Sequence, residues 1–514
     1  MSALKTLYRH SSHYLGGRVA VMLLGFASFP VFTRVFSVAD YGTINLIANT
    51  VLLLTVISKF GFQHAVQRYY PESANSADPD SLPRYYATLF YGTALIALVL
   101  TLGFAATIPL GSARYLGITA ASTLLLACSL VMIRALRSMQ QNLLQMENKT
   151  RLFNGVDIVQ RSAEIGAICM LLFFWRKSIF AFFLGTVAVE SAVVLQYLPY
   201  LIRRRLLSPK MVSPGFFRSA MVFSFPLMTA EISWVVLDSG DRFCVQHYLG
   251  AQALGYYAAA YGIATYLQDV LKVPLQLALF PICMKVWAEK GLRETQEFLS
   301  RSLDQFIMVA VVVVCVAIVT SRDVIALLAS KKFEQAHSLL PFLVIGLVLS
   351  ALTIYFRPGL LIYKKASRIA TATLYASVLN IAMNIVLLPR IGILGAAIAT
   401  MVSYAAIILF LAFESLKVLP FKLELAAFGR YVVAGVAAAW LASRVTAPTP
   451  LFSAAVKAAV IVVLYAAALW VTDRRIRRLM AQVCRLARAR LWPPPAPDAA
   501  TMPAARKEEM AVNP

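Results

Sequence analysis

Apolar stretches of about 20 residues, separated by short polar gaps, recur about fourteen times along this sequence. A helix needs about 20 residues to cross the hydrocarbon core of a bilayer, and there every backbone amide must be hydrogen-bonded within its own helix. Hydrophobic residues make up 60% of the 514 and charged residues only 14%, too few for the surface of a soluble protein of this size. The sequence therefore predicts an all-α, polytopic membrane protein. We place its spans approximately at 13–36, 41–64, 85–108, 114–136, 152–175, 178–201, 216–239, 252–283, 302–320, 336–356, 368–388, 392–414, 425–443 and 451–471.

Lysine and arginine outnumber aspartate and glutamate by 48 to 24, and they concentrate in every second gap between the spans. With the N-terminus in the cytoplasm, roughly 33 basic residues fall in inside gaps and about 10 in outside gaps, as the positive-inside rule requires. The charge is therefore expected to orient the helices and to meet anionic phospholipid, not nucleic acid. An even number of spans places both termini in the cytoplasm.

The sequence contains no recognisable pattern of catalytic or metal-binding residues. The six cysteines and five histidines are scattered without a C-x-x-C pair or a Cys/His cluster, so neither a disulfide framework nor a metal site is indicated. No G-x-S-x-G, P-loop or H-E-x-x-H motif occurs. Paired tyrosines such as Tyr256 and Tyr257 fall near span ends and are assigned to interfacial aromatic belts. We expect no enzyme activity and no cofactor.

A repeat relates the two halves of the chain. A shift of about 213 residues lays Ser37–Gly42 over Gly250–Gly255, and it also puts Lys59 over Lys272. Two parallel six-helix halves, related by an axis along the membrane normal, would produce this pattern. The predicted domains are 1–212 (spans 1–6), 213–420 (spans 7–12), 421–472 (two additional transmembrane helices) and 473–514 (a basic amphipathic helix, then a disordered cytoplasmic tail).

Charged residues inside the predicted spans are the main indication of a site, because each costs about 2.5–3.5 kcal/mol at the centre of a membrane helix. The basic ones, Arg18, Lys59 and Lys272, predict a cationic cavity between the halves, lined by spans 1, 2, 7 and 8. The acidic residues of spans 7 and 8, expected to be cavity or coupling-ion carboxylates, are Glu231, Asp238, Asp241 and Asp269.

Simpler explanations compete at several charged positions. Lys59 lies near the inner end of its span, where a long side chain can extend to the headgroups. Asp241 and Arg242 follow the end of span 7 and are expected to be solvated. Arg161 and Glu164 are three residues apart on one helix and are expected to neutralise each other.

Two stretches resemble a known family of flippases. In Phe29–Gly42 a first helix ends in an arginine and a short polar link leads to Tyr-Gly; in Leu379–Ala397 an asparagine-containing helix ends at a proline and Gly-Ile-Leu-Gly-Ala-Ala follows. Both are similar to the O-antigen and exopolysaccharide repeat-unit flippases of the multidrug/oligosaccharidyl-lipid/polysaccharide exporter superfamily. The resemblance covers about residues 1–420. It implies two pseudo-twofold six-helix lobes in a V, two additional C-terminal helices, and a cationic cavity for a lipid diphosphate.

The resemblance also implies a cation site. Where that superfamily has one, it uses an acid on span 7, two polar residues one turn apart on span 11 and a threonine on span 12. Asn380, Asn384 and Thr400 match this arrangement, with Asp238 or Asp241 as the acid. Asn384 stands where some relatives carry a carboxylate, which weakens the site for a bare sodium ion. The alternative is that the two asparagines hydrogen-bond between helices.

The function that the resemblance implies is transport of an undecaprenyl-diphosphate-linked oligosaccharide from the inner to the outer leaflet of the bacterial cytoplasmic membrane, for lipopolysaccharide or exopolysaccharide synthesis. Alternating access would move the head while the lipid tail stays in a groove that spans 13 and 14 help to form. Polysaccharide polymerase and chain-length machinery are the further expected partners. The alternatives are a peptidoglycan-precursor flippase, a cation-coupled multidrug exporter and a membrane glycosyltransferase or polymerase. The short outside loops argue against the last of these.

Overall fold

The described part of the chain is an assembly of long helices. The computed structural model describes residues 2–109, 121–146, 150–203, 206–473 and 477, and of residues 2–15, 18 and 150–154 it describes the backbone alone. Within these ranges the regular structure is helical and no strand occurs. Ten helical stretches are long and apolar enough to cross a membrane, with Pro214–Leu328 counted once. The predicted all-α membrane fold is confirmed.

The structure describes seven helices in the first half of the chain. They are α1 (Ser2–Val35), α2 (Val38–Lys59), α3 (Phe62–Ala74), α4 (Ser81–Ala106), α5 (Ala121–Met146), α6 (Thr150–Phe174) and α7 (Ile179–Arg203). Six of them coincide with predicted spans, and α3 is the addition. It is a short helix that continues from α2 after a turn in which Phe60 and Gly61 both have positive φ.

The second half begins with the helical stretch Pro214–Leu328, which is interrupted at Gly250 and Gly291, each with φ of 79°. Glycine reaches this region of φ without a steric penalty, so the chain turns there without a loop. The interruptions separate α8 (214–249), α9 (251–290) and α10 (292–328). The helices that follow are α11 (Leu340–Ile362), α12 (Ala366–Ile391), α13 (Ile393–Val418), α14 (Leu425–Ala442) and α15 (Pro450–Thr472).

The halves meet where α2 and α9 begin. A methyl group on Gly42 would overlap the Ala251 carbonyl oxygen, and one on Gly255 would overlap the Val38 carbonyl oxygen, so the two backbones are in direct contact. Gly42 and Gly255 are the residues that the 213-residue shift superimposes. Equivalent residues meet in this way when a twofold axis passes between their helices.

The last two helices pack against α10. The Tyr431 hydroxyl donates to Asp304, the Lys457 ammonium lies 2.9 Å from Asp323, and the Tyr465 hydroxyl donates to the Met308 carbonyl oxygen. We call the end of the assembly where α2, α7 and α9 finish the basic end, because Lys210 and the Lys364–Lys365 pair lie there. Of the predicted amphipathic helix at 473–492, only Asp473 and residue 477 lie within the described residues.

Candidate functional site

One face of α8 carries a stripe of charged and aromatic residues between the halves. The residues are Glu231, Trp234, Asp238, Asp241 and Arg242, and their spacing of three to four residues places them on the same side of the helix. From Glu231 to Asp241 the stripe runs about 15 Å along the axis. Its partners come from α2, α9, α11 and α13, so it lies between helices of both halves.

At the basic end of the stripe, the halves are joined by an ion pair. The Lys59 ammonium on α2 lies 2.9 Å from Glu231 on α8, and both side chains are largely buried. The Gln63 amide donates to the second oxygen of the same carboxylate. Lys59 is therefore paired with an acid at the interface of the halves.

One turn further along α8, two cations share the ring of Trp234. The Lys272 ammonium on α9 lies 5.3 Å from the ring centre and the Arg357 guanidinium on α11 lies 5.4 Å from it. Both distances are typical of cation–π contacts. Among the described residues, no carboxylate lies within ion-pair distance of either cation, and the Arg357 Nε is buried without a hydrogen-bond partner. The Lys272–Arg357 pair is thus two partly buried positive charges without a paired acid, which suits a multiply charged anion.

Arg357 was missed at the sequence level. It directly follows predicted span 336–356, so the sequence places it among the basic residues of an inside gap. In the structure α11 continues to Ile362, so Arg357 lies more than a turn inside the helix. The signal that could have found it is the apolar Gly359–Ile362 segment beyond it, which the span prediction cut off.

A polar cavity of about 520 Å³ lies between α1, α5, α6, α7 and α9. Its wall combines three arginines with four carboxylates: Arg134, Arg137, Arg161, Asp157, Glu164, Glu190 and Asp269. The cavity therefore offers both donors and acceptors at close spacing. Predicted Asp269 belongs to this wall, one turn before Lys272 on α9.

The arginines of this cavity are held by carboxylates. Arg134 forms a bidentate ion pair with Glu190, with its Nε 3.1 Å from both carboxylate oxygens. Arg137 lies 2.9 Å from Asp157. Arg161 lies 3.1 Å from Glu164, which confirms that this predicted pair neutralises itself.

The predicted cavity residue Arg18 has a side chain outside the described residues. Its backbone belongs to α1, and Met22, one turn later, lines the polar cavity. Arg134 and Arg137 line the cavity as well, although neither is among the cavity residues predicted from the sequence. Arg134 lies at the end of predicted span 114–136 and Arg137 just past it, and α5 continues to Met146, ten residues beyond that span.

An apolar groove of about 550 Å³ adjoins the polar cavity. Its lining comes from α1, α9, α10, α11 and α15, and Met22 and Tyr266 line both spaces. Ala458 and Val462 are the contribution of α15. An apolar groove therefore opens directly beside a charged cavity, with the last helix as part of its wall.

At the far end of the stripe, Asp241 and Arg242 form a buried cluster. Asp241 is 0% exposed and Arg242 7%, so the expectation that both are solvated is wrong. The Arg242 guanidinium lies 3.2 Å from Asp241, and Tyr257 and Thr400 donate to the second oxygen of that carboxylate. Tyr257 is fully buried as well, so its assignment to an interfacial belt is also wrong. Asp241 and Arg242 are buried because α8 continues to residue 249, about ten residues past its predicted end.

The predicted cation-site residues are only partly brought together. Asp241 and Thr400 are hydrogen-bonded at 3.1 Å, whereas Asp238 accepts hydrogen bonds from Tyr261 and Tyr404. Asn380 and Asn384 are fully buried, and the Asn384 amide donates to the Asn380 carbonyl oxygen one turn back. That hydrogen bond lies within α12. The alternative prediction, that the two asparagines hydrogen-bond between helices, is therefore not met among the described residues either. Asn384 Oδ1 and Asn380 Nδ2 have no partner among the described residues.

Comparison with known proteins places this geometry in context. Residues 7–287 match the family model described as polysaccharide biosynthesis protein. A Haemophilus influenzae protein named for the Lsg locus is 20% identical over 407 residues, which are 76% of this chain and 95% of that protein.

Two solved structures share the fold. The lipid II flippase MurJ in an inward closed conformation superimposes with a TM-score of 0.69 at 15% identity, over 90% of this chain and 99% of that one. An inward-facing multidrug resistance MATE family transporter of the MOP superfamily gives a TM-score of 0.63 at 11% identity, over 77% of this chain and 94% of that one. At these identities the likeness is one of fold.

Proposed function

The chain belongs to the polysaccharide biosynthesis protein family, and from that membership we propose that it moves a polyprenyl-diphosphate-linked oligosaccharide across the bacterial cytoplasmic membrane. The lipid we propose is undecaprenyl, and the direction is from the inner to the outer leaflet, by alternating access of the two halves. The product would serve surface polysaccharide synthesis. In this account the basic end and both termini face the cytoplasm, in agreement with the positive-inside rule.

The observation that carries the proposal is the Lys272–Arg357 pair. A diphosphate cannot enter hydrocarbon unaided, so its transporter must supply fixed positive charge where the head crosses. Lys272 and Arg357 are cations without a paired carboxylate in the described structure, on helices of the second half. Lysine gives a point charge and arginine a planar fork of donors, and both bind phosphate oxygens.

The adjoining spaces support the same substrate. Carboxylates, arginines and the Gln141 and Gln160 amides in the polar cavity can hydrogen-bond the hydroxyl groups of a sugar. The apolar groove meets that cavity at Met22 and Tyr266, which is the arrangement needed by a lipid whose polar head and hydrocarbon tail are covalently joined. We propose that the polyprenyl chain lies along this groove, against α15.

A cation-coupled drug exporter is less well supported. An organic cation would be repelled by Lys272 and Arg357, since both lie in a partly desolvated site where like charges interact strongly. A peptidoglycan-precursor flippase would need the same diphosphate site, so only the preference for the sugar head separates it from the leading proposal.

The test is transfer of a labelled polyprenyl-diphosphate oligosaccharide in proteoliposomes that contain only this protein. We expect transfer by the wild-type protein and its loss in the double variant Lys272→Ala/Arg357→Ala. Lys290→Ala is the matched control, because it removes an exposed lysine from the same helix, α9. Absence of transfer with several different sugar heads would refute the proposal, and preference for a peptidoglycan precursor would reassign the substrate.

A further inference from the structure

Asp241 is a carboxylate that is completely buried in a membrane protein, and its compensation comes from the next residue. Arg242 Nη1 lies 3.2 Å from one of its oxygens and also donates to the Asp238 carbonyl oxygen at 2.7 Å. The guanidinium stacks on the ring of Tyr261, 4.1 Å from the ring centre. Arg242 is itself buried, so neither charge is screened by solvent.

This arrangement does not fit the soluble cation that the superfamily resemblance implies at the same place. Of the expected donors, Asp241 has both oxygens engaged, one by Arg242 and the other by Tyr257 and Thr400. The one negative charge of Asp241 is already balanced by one positive charge. A second cation bound to this carboxylate would lie close to the buried Arg242 guanidinium, and two like charges repel strongly where solvent does not screen them.

We propose that Arg242 is a covalently tethered counter-ion that takes the place of a coupling cation at Asp241. The chain therefore binds no sodium at Asp241 while Arg242 holds that carboxylate. A soluble ion can leave during the cycle, whereas the guanidinium is fixed to α8.

The tethered charge also reaches the other half of the molecule. Arg242 Nε donates to the Asn45 side-chain oxygen on α2 at 3.3 Å. Arg242 thereby links the acid of α8 to the helix on the opposite side of the interface. We assign to this contact the role of holding α2 against α8 at the end of the assembly away from the basic end.

Removal of the guanidinium should recreate a cation site. It would free an oxygen of Asp241 close to the Thr400 hydroxyl, and hard cations prefer such oxygen ligands. A further oxygen is available on α12, where Asn384 Oδ1 is buried without a partner among the described residues. This helix packs tightly on α8 at the adjacent turn, where a methyl group on Gly240 would lie 2.9 Å from Ile381.

The experiment measures thermal unfolding of the purified full-length protein in sodium chloride and in choline chloride at equal ionic strength. For the wild-type protein we expect the same midpoint in both salts. For Arg242→Met we expect a lower midpoint that sodium raises by about 2 °C or more. Arg242→Lys keeps a charge and should show no sodium dependence. Arg134→Met, which leaves the buried Glu190 unpaired in the first half, is the matched control and should be destabilised without rescue by sodium.

A sodium-dependent midpoint in the wild-type protein would overturn the proposal, and so would a purified Arg242→Met variant that sodium does not stabilise. If Arg242→Met fails to fold, the double variant Asp241→Asn/Arg242→Met decides, because it removes both charges together. Recovery of folding in the double variant supports the counter-ion role, and continued misfolding contradicts it. None of these measurements depends on transport, so their outcome is separate from that of the proposed function.

Discussion

Two clusters of charged residues lie along the same face of α8, and they differ in whether the charges have an oppositely charged partner. The Asp241 carboxylate has a cationic partner, Arg242, and Tyr257 and Thr400 donate to its second oxygen. About two turns away, Lys272 and Arg357 lie over Trp234 with no acid within ion-pair distance in the described structure. A buried charge with its partner stabilises one arrangement of helices, whereas a cation kept without a partner is available to a ligand. The first cluster is therefore structural, and the second is the site that we propose for the substrate.

The largest effect on stability is expected at the compensated cluster. Asp241→Asn removes the carboxylate and leaves the Arg242 charge buried and unpaired, which should lower the free energy of unfolding by about 3–5 kcal/mol. Thermal unfolding in detergent measures this. Asp78→Asn is the control, since the Asp78–Arg84 pair is solvent-exposed and should contribute less than about 1 kcal/mol. Equal midpoints for the two variants would remove the distinction between the clusters.

At the uncompensated pair, the effect should fall on transport and not on stability. Arg357→Ala should reduce transfer in proteoliposomes at least about tenfold, because loss of a charge-assisted contact typically costs about 1.5–3 kcal/mol. Arg357→Lys should recover part of the activity, since it keeps the charge but loses the planar fork. The thermal midpoint should not fall in either variant. A destabilised Arg357→Ala would indicate a structural cation instead.

A smaller effect on stability is expected at the Lys59–Glu231 pair, whose glutamate lies one turn before Trp234 on α8. Both residues keep some solvent contact, so Glu231→Gln should lower the free energy of unfolding by only about 1 kcal/mol. A double-mutant cycle with Lys59→Met isolates the interaction between them. A decrease in the free energy of unfolding as large as that expected for Asp241→Asn would mean that the whole stripe is structural.

The smallest effect is expected far from both clusters. Deletion of residues 493–514, a stretch rich in proline and alanine, should leave both transfer and the thermal midpoint unchanged. The comparison is between the truncated and full-length proteins at equal amounts in the membrane. Loss of transfer in the well-expressed truncated protein would show that the tail takes part.

The helices were predictable from the sequence, and the partners of their charges were not. Each predicted span coincides with a helix, because hydropathy reports the length of chain that hydrocarbon can accept. Three of the errors share one cause: Arg242, Arg137 and Arg357 each follow the predicted end of a span, but each helix continues past them. Whether such a charge is solvated or buried depends on side chains of distant helices. For Arg242 these come from α2 and α9, and no local pattern reveals them.

The repeat was informative for a similar reason. The alignment of Gly42 with Gly255 could be read from the sequence, but the fact that they meet could not. The alignment of Lys59 with Lys272 suggests equal roles, yet Lys59 is paired with Glu231, whereas Lys272 has no acid within ion-pair distance among the described residues. The two lysines therefore occupy equivalent positions in the repeat, and the side chains of neighbouring helices determine whether each lysine is paired with an acid.

The most direct test of the central claim is binding of a labelled polyprenyl diphosphate to the purified protein, with no transport step. The compared proteins are the wild type, the double variant Lys272→Ala/Arg357→Ala, and Arg242→Lys from the compensated cluster. We expect the double variant to bind at least about tenfold more weakly, with Arg242→Lys close to wild type and wild-type affinity falling as salt is added. Equal affinity of the wild type and the double variant would contradict the account.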